Sequence, residues 1–420
     1  MTDEASDGAL NTRGGLKLFY RSFSQVHPYI AFFMCIFGVV SNLFLIGVLS
    51  RPRMRSTVNR LLTSIASIDT ALMLSYSIYL AHFHISDRHK CPVHLFTYEW
   101  TVFKLVHANF SVYARACTLW LSATVAGYSK HVVALATPVH YENSRLSSRL
   151  TFGVAVSVLA ASAPIFLQNS AVREGIRAPE NDTTCPANHS PYYVLQAPDF
   201  AASPYASNLL SKITFMMNGI ILKFLPCALL AYFLAFLVYA LYARKRWRTD
   251  RFFTHRRSSI SMAGSPRGSI SSSQNYTPTT LILTTILCTT LTCELPNAIL
   301  SLVCSLSNMD FIKEVYVNLG DVLDVLSLLS CISTSILYCV MSHLFRDTFF
   351  QLFFPRRFTL LSATANRGDA SNHTGATVHR SRSASPASLT IPYHLRHRAS
   401  DGYNMVYHME KLQPLLGSSV

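Results

Sequence analysis

SVYARACTLWLSATVAGY (111–128) and LTTILCTTLTCELPNAILSLVCSL (283–306) are apolar enough to lie in lipid, yet each carries one charge near its middle, Arg115 and Glu294. A charged side chain at the centre of a bilayer costs roughly 3 kcal/mol or more, so it turns toward a protein interior and has a role there. The two stretches therefore predict membrane-crossing helices that enclose an ion-bearing cavity.

The rest of the chain agrees with that reading. Half of its 420 residues are hydrophobic and only 14% are charged. The apolar residues fall in blocks of roughly 20 to 25, the length that crosses about 30 Å of hydrocarbon at about 1.5 Å per residue. The expectation is an all-α, seven-transmembrane helix bundle with spans at 29–50, 61–83, 101–128, 148–169, 213–242, 279–304 and 316–341. The third span is the weakest by hydropathy, because it contains Lys104, His107 and Arg115; Pro164 and the polar run after Leu167 bound the fourth. Residues 1–28 are polar and lack the apolar core and small-residue cleavage site of a signal peptide, so the first hydrophobic helix is expected to target the chain.

Basic residues set the orientation. The loops on one side (51–60, 129–150, 243–278 and the tail from 345) hold 24 Lys and Arg, against 8 on the other. The rich side is cytoplasmic, which puts the N-terminus outside. The expected organisation is an extracellular tail over 1–28, the bundle over 29–344, an amphipathic interfacial helix over 345–357 stopped by Pro355, and a disordered cytoplasmic tail over 358–420. The net charge of +15 follows from this bias rather than from nucleic-acid binding.

Eight of the ten cysteines fall within spans and read as small hydrophobes. Cys91 and Cys185 sit in extracellular loops, where an oxidising compartment favours a disulfide between them. Asn181 and Asn188 open glycosylation sequons in the second outer loop. The segment RRSSISMAGSPRGSISSSQNYTPTT (256–280) and the tail set Arg beside Ser, a pattern that suits basophilic kinases and arrestin-type partners.

Helix rise places the buried charges. Arg115 lies 14 residues from Ser129 and Glu294 lies 15 from Thr279, so both stand about 21–22 Å above the cytoplasmic edge and are expected to pair. Asp324 and Asp321, 17 and 20 residues above Met341, stand at about 25 and 30 Å, nearer the outer mouth. The same groups also fit a purely structural ion pair. Asp69, about 15 Å inside the cytoplasmic edge, needs a proton, a cation or a hydrogen-bond donor such as Asn42.

Seven spans with Asn42 in GVVSNLFLIGVL, Asp69 in SIASIDTALML, Pro226 and a helix-eight-like FRDTFFQLFFPRR (345–357) resemble the class A G-protein-coupled receptors. HANFS (107–111), Trp120, KFLPCALL (223–230), CELPNAIL (293–300), NLGDVLD (318–324) and ILYCVMSHLFRDTF (336–349) resemble the myosuppressin and FMRFamide branch of invertebrate neuropeptide receptors. The resemblance covers roughly residues 29–354. It implies an amidated peptide ligand ending in Arg-Phe-amide, a heterotrimeric G protein on the cytoplasmic side, and a ligand site drawing on Arg115, Glu294, Asp321, Asp324, His107 and Asn109. It also implies a sodium site at Asp69, with Thr118, Ser330 and Thr334 supplying hydroxyls.

The departures lie at the cytoplasmic end. The arginine of the family's Asp-Arg-Tyr-like motif falls at Ser129 when counted from Trp120, or at His131 when aligned on Pro138, with Lys130 between them. The Asn-Pro-x-x-Tyr-type motif reads Thr334-Ser335-Ile336-Leu337-Tyr338 and keeps only the tyrosine. Two alternatives therefore stand beside the receptor: a receptor-like membrane protein without G-protein coupling, and a transporter or channel using Arg115, Glu294 and Asp69. The odd span count and the lack of an inverted repeat disfavour the transporter. No nucleophile, metal-ligand cluster or phosphate-binding glycine loop points to an enzyme.

Overall fold

A computed structural model describes residues 2–86, 95–134, 144–168, 171–174, 193–196, 204–258, 276–306, 315–316 and 318–354. The expected disulfide (Cys91, Cys185), both expected glycosylation sites (Asn181, Asn188) and the tail from 355 lie outside these residues. Cys35, Cys117, Cys227, Cys288, Cys293, Cys331 and Cys339 are free thiols.

Helix α1 runs Thr2–Leu49, so the segment expected as a tail over 1–28 continues the first span as helix from Thr2. The Gly14-Gly15 pair and Pro28 do not interrupt it. A 3-10 turn, Pro52–Met54, leads into α2, Thr57–Leu80, which Ser56 caps by accepting a hydrogen bond from Asn59 N at 3.1 Å. A π-helical turn, Ala81–Ser86, extends α2 outward. Helix α3 is Tyr98–Ala134 and α4 is Ser144–Gln168; Pro164, expected to bound the fourth span, lies inside α4 near its end.

An antiparallel strand pair follows, β1 (Ala171–Glu174) against β2 (Tyr193–Gln196). The amide of Tyr193 donates to Phe96 O at 2.9 Å, and Thr101 Oγ1 donates to Tyr193 O at 3.3 Å. These bonds seat β2 on the outer start of α3.

Helix α5 is continuous over 204–258: α-helical over Pro204–Met216, π-helical over Met217–Phe224 and α-helical again over Leu225–Ser258. The wide turn precedes Pro226, whose missing N–H breaks the regular ladder. Helix α6 is Tyr276–Leu306 and α7 is Gly320–Met341. The interfacial helix is α8, His343–Phe353, slightly earlier than the expected 345–357; Ser342 caps it by accepting from Phe345 N at 3.2 Å.

Six of these helices are long and apolar enough to cross a membrane. The seventh spanning helix, α3, is equally long but carries Glu99, Lys104, Arg115 and Lys130. It tolerates them because its neighbours α2, α4 and α5 bury Ala114, Ala116, Cys117, Leu121, Ala123, Val125 and Ala126 along its length. Phe33 and Phe152 are each 71% exposed on outer faces, a state suited to lipid and not to water. The largest core occupies the inner half, where Leu45, Leu61, Leu121, Leu237, Ile286, Tyr338 and Phe345 meet. The outer half holds smaller clusters, one among α1, α2 and α7, another among α3, α4 and α5.

At Gly219, a Cβ would stand 2.6 Å from the backbone oxygen of Ser301 and would also strike Ser305 Oγ. The glycine lets the π segment of α5 touch α6. Gly219→Ala should lower stability by about 1–3 kcal/mol, since the backbone of Ser301 can yield only by moving a helix. Gly153→Ala, where a Cβ meets nothing within 4 Å, should be neutral or stabilising by up to about 1 kcal/mol. Thermal unfolding of the purified chain separates the two.

Candidate functional site

The outer half of the bundle gathers the charges. Arg115 on α3 reaches α7, with Nη2 3.5 Å from Asp324 Oδ1. This corrects the expected Arg115–Glu294 pair: equal depth did not decide the partner, and the longer guanidinium arm reaches upward to Asp324. Glu294 on α6 instead accepts a hydrogen bond from Ser327 Oγ of α7 at 3.4 Å. Asp324 Oδ2 also accepts from the hydroxyl of Tyr76 on α2 at 3.4 Å. Asp321, one turn higher on α7, faces α1, with Oδ1 3.7 Å from His27 Nδ1.

His107 is buried on α3, and its Nδ1 shares a hydrogen bond with Ser75 Oγ at 2.8 Å. Its ring stacks on Tyr79 at 4.9 Å and Tyr76 at 5.7 Å, and on Phe103 at 6.1 Å. The aromatic wall continues through Phe83 to Trp100, which stacks on His82 at 3.6 Å. Asn109 is two residues beyond His107, about 200° round the helix, so it does not share the face that His107 presents to α2.

One member of this site escaped the reading of the sequence. Lys223, in the π segment of α5, donates to Asn297 Oδ1 at 3.0 Å, Ser301 Oγ at 3.2 Å and the Tyr316 hydroxyl at 3.2 Å. Glu294, Asn297 and Ser301 follow an i, i+3, i+7 spacing and share one face of α6. The signal was available: a lysine inside an apolar span is as costly as Arg115 or Glu294.

Below the charges, a cavity of about 20 Å³ is lined by Asp69, Arg115, Thr118, Glu294, Ser330 and Thr334 among others. It gathers the residues expected at a sodium site, but they do not suit the ion. The wall contains the permanent guanidinium of Arg115, which repels a cation in a space of about one water. Asp69 Oδ1 accepts from Cys331 Sγ at 3.5 Å rather than from Asn42, whose Nδ2 donates to Cys331 O at 3.1 Å. Among the described residues no group of three or more His, Cys, Asp and Glu could hold a metal.

At the cytoplasmic end, a cavity of about 400 Å³ opens among α2, α3, α6 and α7, lined by Asn59, Ser129, Thr280 and Tyr338 among others. Ser129 is buried and donates to Val125 O of its own helix at 2.7 Å. Lys130 turns to α5: Nζ donates to the Tyr232 hydroxyl at 3.1 Å and lies 4.5 Å above the Tyr232 ring and 5.2 Å above that of Phe236. His131 is exposed. Thr334 belongs to the small cavity above, and the Tyr338 hydroxyl donates to Asn59 Oδ1 at 3.0 Å, joining α7 to α2.

Residues 29–356 match the family described as serpentine type 7TM GPCR chemoreceptor Srw. A Caenorhabditis elegans protein described as G-protein coupled receptor dmsr-1 is 31% identical over 364 residues, which are 80% of this chain and 70% of that protein.

The charge geometry predicts a specific rescue. Arg115→Met should lower thermal stability by about 1–3 kcal/mol, the smaller end reflecting an Asp324 side chain that is 46% exposed. Adding Asp324→Leu should restore part of the loss, and adding Glu294→Leu should not. Rescue by the Glu294 change alone would assign the partnership to Glu294.

Proposed function

The chain belongs to the serpentine seven-transmembrane G-protein-coupled receptors of the Srw type, and on that premise we propose that it is a receptor for an amidated neuropeptide ending in Arg-Phe-amide. It is a multi-pass plasma-membrane protein of signal transduction, and a receptor family is not an enzyme class. We assign it to the class A, myosuppressin-like branch on the same reading.

One observation carries the reading. Tyr76 stacks in the aromatic wall with Tyr79 and His107, and its hydroxyl bonds Asp324. A half-exposed carboxylate thus stands directly beside an aromatic recess. An Arg-Phe pair carries a guanidinium and a ring on adjacent residues, and the two needs match: the guanidinium joins Asp324 in a charge-assisted bond, and the ring packs among Tyr76, Tyr79 and Phe103. Glu294 and Asp321 add negative potential along the path, while His107 forms part of the aromatic wall. Heterotrimeric G protein, and kinases and arrestin acting on the cytoplasmic Ser/Thr segments, complete the proposed set of partners.

A second reading, a receptor-like protein that binds its peptide but couples weakly, has its own observation. Ser129 is tied to its own helix and Lys130 is turned onto α5, so neither offers a cation to the cytoplasmic cleft.

Two measurements test these readings on cells displaying the chain. FMRFamide-type peptides should bind, and Asp324→Asn should weaken them about 10- to 100-fold, the loss of one charged hydrogen bond, at unchanged surface expression. A panel of such peptides that fails to bind would end the ligand assignment. Ser129→Arg should raise agonist-driven G-protein activation without changing binding, because it returns a long fixed cation to α3. Full activation by the unmodified chain, unaltered by that change, would remove the weak-coupling reading.

A further inference from the structure

A groove of about 590 Å³ lies on the flank of the bundle, at the basic end of α1, α2 and α4, away from both the outer charge cluster and the central cytoplasmic cleft. Arg55 and Arg60 line it together with the hydroxyls of Ser50, Thr63, Ser64 and Thr151. Its far wall is apolar, with Phe152, 71% exposed, and Ala155 one turn further along α4. Because the basic side of the chain is cytoplasmic, the polar floor sits at the level of the inner leaflet's headgroups and the apolar wall at the level of its acyl chains.

The hydrogen-bond inventory sharpens the match. Ser50 Oγ donates to Ile46 O at 2.7 Å, Thr63 Oγ1 to Asn59 O at 2.8 Å, Ser64 Oγ to Arg60 O at 3.1 Å, and Thr151 Oγ1 to Ser64 Oγ at 3.4 Å. These hydroxyls have placed their protons and offer lone pairs, so they suit a ligand rich in O–H donors. Arg55 is oriented by one bond, Nε to Ser50 O at 3.4 Å, and its terminal nitrogens are donors suited to phosphate. Acceptors for hydroxyls beside guanidinium donors for phosphate, under an apolar wall, describe a phosphorylated polyol carried on acyl chains.

We propose that this groove binds a phosphoinositide-class phospholipid of the inner leaflet, the headgroup between Arg55 and Arg60 and an acyl chain along Phe152. The site is independent of the peptide reading, so it stands or falls separately from it.

The test uses the full chain in phosphatidylcholine nanodiscs, with a fluorescent phosphatidylinositol bisphosphate as probe and elution profile and helicity as folding controls. The probe should bind saturably and resist displacement by phosphatidylserine. Arg55→Gln should weaken it about fivefold and Arg55→Gln with Arg60→Gln about 25-fold, the scale of one surface basic contact each. Ser148→Trp, which fills the groove without changing charge, should weaken it as well. Arg246→Gln, an exposed arginine on the cytoplasmic extension of α5, should change nothing. An equal loss with Arg246→Gln would reduce the effect to diffuse surface charge. Equal competition by soluble inositol trisphosphate would show that the apolar wall contributes nothing, and unaltered binding with Ser148→Trp would place the lipid elsewhere; each overturns the proposal. If Arg60→Gln prevents folding, Arg55→Gln and Ser148→Trp decide the question.

Discussion

The guanidinium of Arg115 is the constraint around which the outer bundle is arranged. A fixed cation at that depth is intolerable against lipid, so the helix that carries it must be enclosed, and α3 is enclosed by α2, α4 and α5. Enclosure has a second effect: α3 need not be apolar, only narrow, which is why small residues (four alanines with Cys117, Thr101, Ser122 and Ser129) fill most of its buried positions. Once inside, the cation needs an anion, and α7 supplies Asp324 at 3.5 Å. The pair joins α3 to α7, and the hydroxyl of Tyr76 adds α2. Three helices thus converge on one carboxylate, and the aromatic wall is positioned because Tyr76 belongs to both.

This pairing leaves an asymmetric charge distribution. Asp324 has Arg115, Asp321 has His27, Glu294 has the hydroxyl of Ser327, and Lys223 has only neutral acceptors. Of these four groups, Glu294 and Lys223 are the two with no opposite charge within ion-pair distance among the described residues. Both attach to the same face of α6, which carries Pro296 between Glu294 and Asn297. A ligand that supplies opposite charge to either one bears on α6 directly, at the point where its hydrogen-bond ladder is interrupted.

Much of this was legible in the sequence, for a physical reason. Hydropathy reports membrane residence, so six spans declared themselves. Even the third was found, because costly charges in an apolar frame mark an inward face. The same logic named Arg115, Glu294 and Asp324 as site residues. It failed on partnership, since helix rise gives height but not azimuth or side-chain reach: Arg115 and Glu294 are level and yet do not pair. Helix starts were read less well: α2 and α8 begin before the expected 61 and 345, at caps by Ser56 and Ser342 that hydropathy does not mark. They were not legible where polarity and helicity part company, as over residues 2–28, where a polar segment is helical. Asp69 shows the same limit, because a thiol, Cys331, takes the place expected for the amide of Asn42.

The cytoplasmic end differs from the outer end in the kind of force that holds it. Around the 400 Å³ cleft the contacts between helices are neutral hydrogen bonds and apolar packing: Tyr338 to Asn59, Asn59 to Met54 O at 2.5 Å, and Phe345 beneath Tyr338 at 5.7 Å between ring centroids. The one basic side chain of α3 in this region that holds another helix does so through aromatic faces and a hydroxyl. A cation held by ring quadrupoles is weakly directional and gives up its place for a fraction of the energy of a buried ion pair. The cytoplasmic half therefore rests on packing that salt does not screen, while the outer half also rests on charges. With Ser129 tied to its own helix and Lys130 held by rings, α3 places neither side chain in the cytoplasmic cleft as a fixed cation and keeps the Arg115–Asp324 ion pair at the outer end.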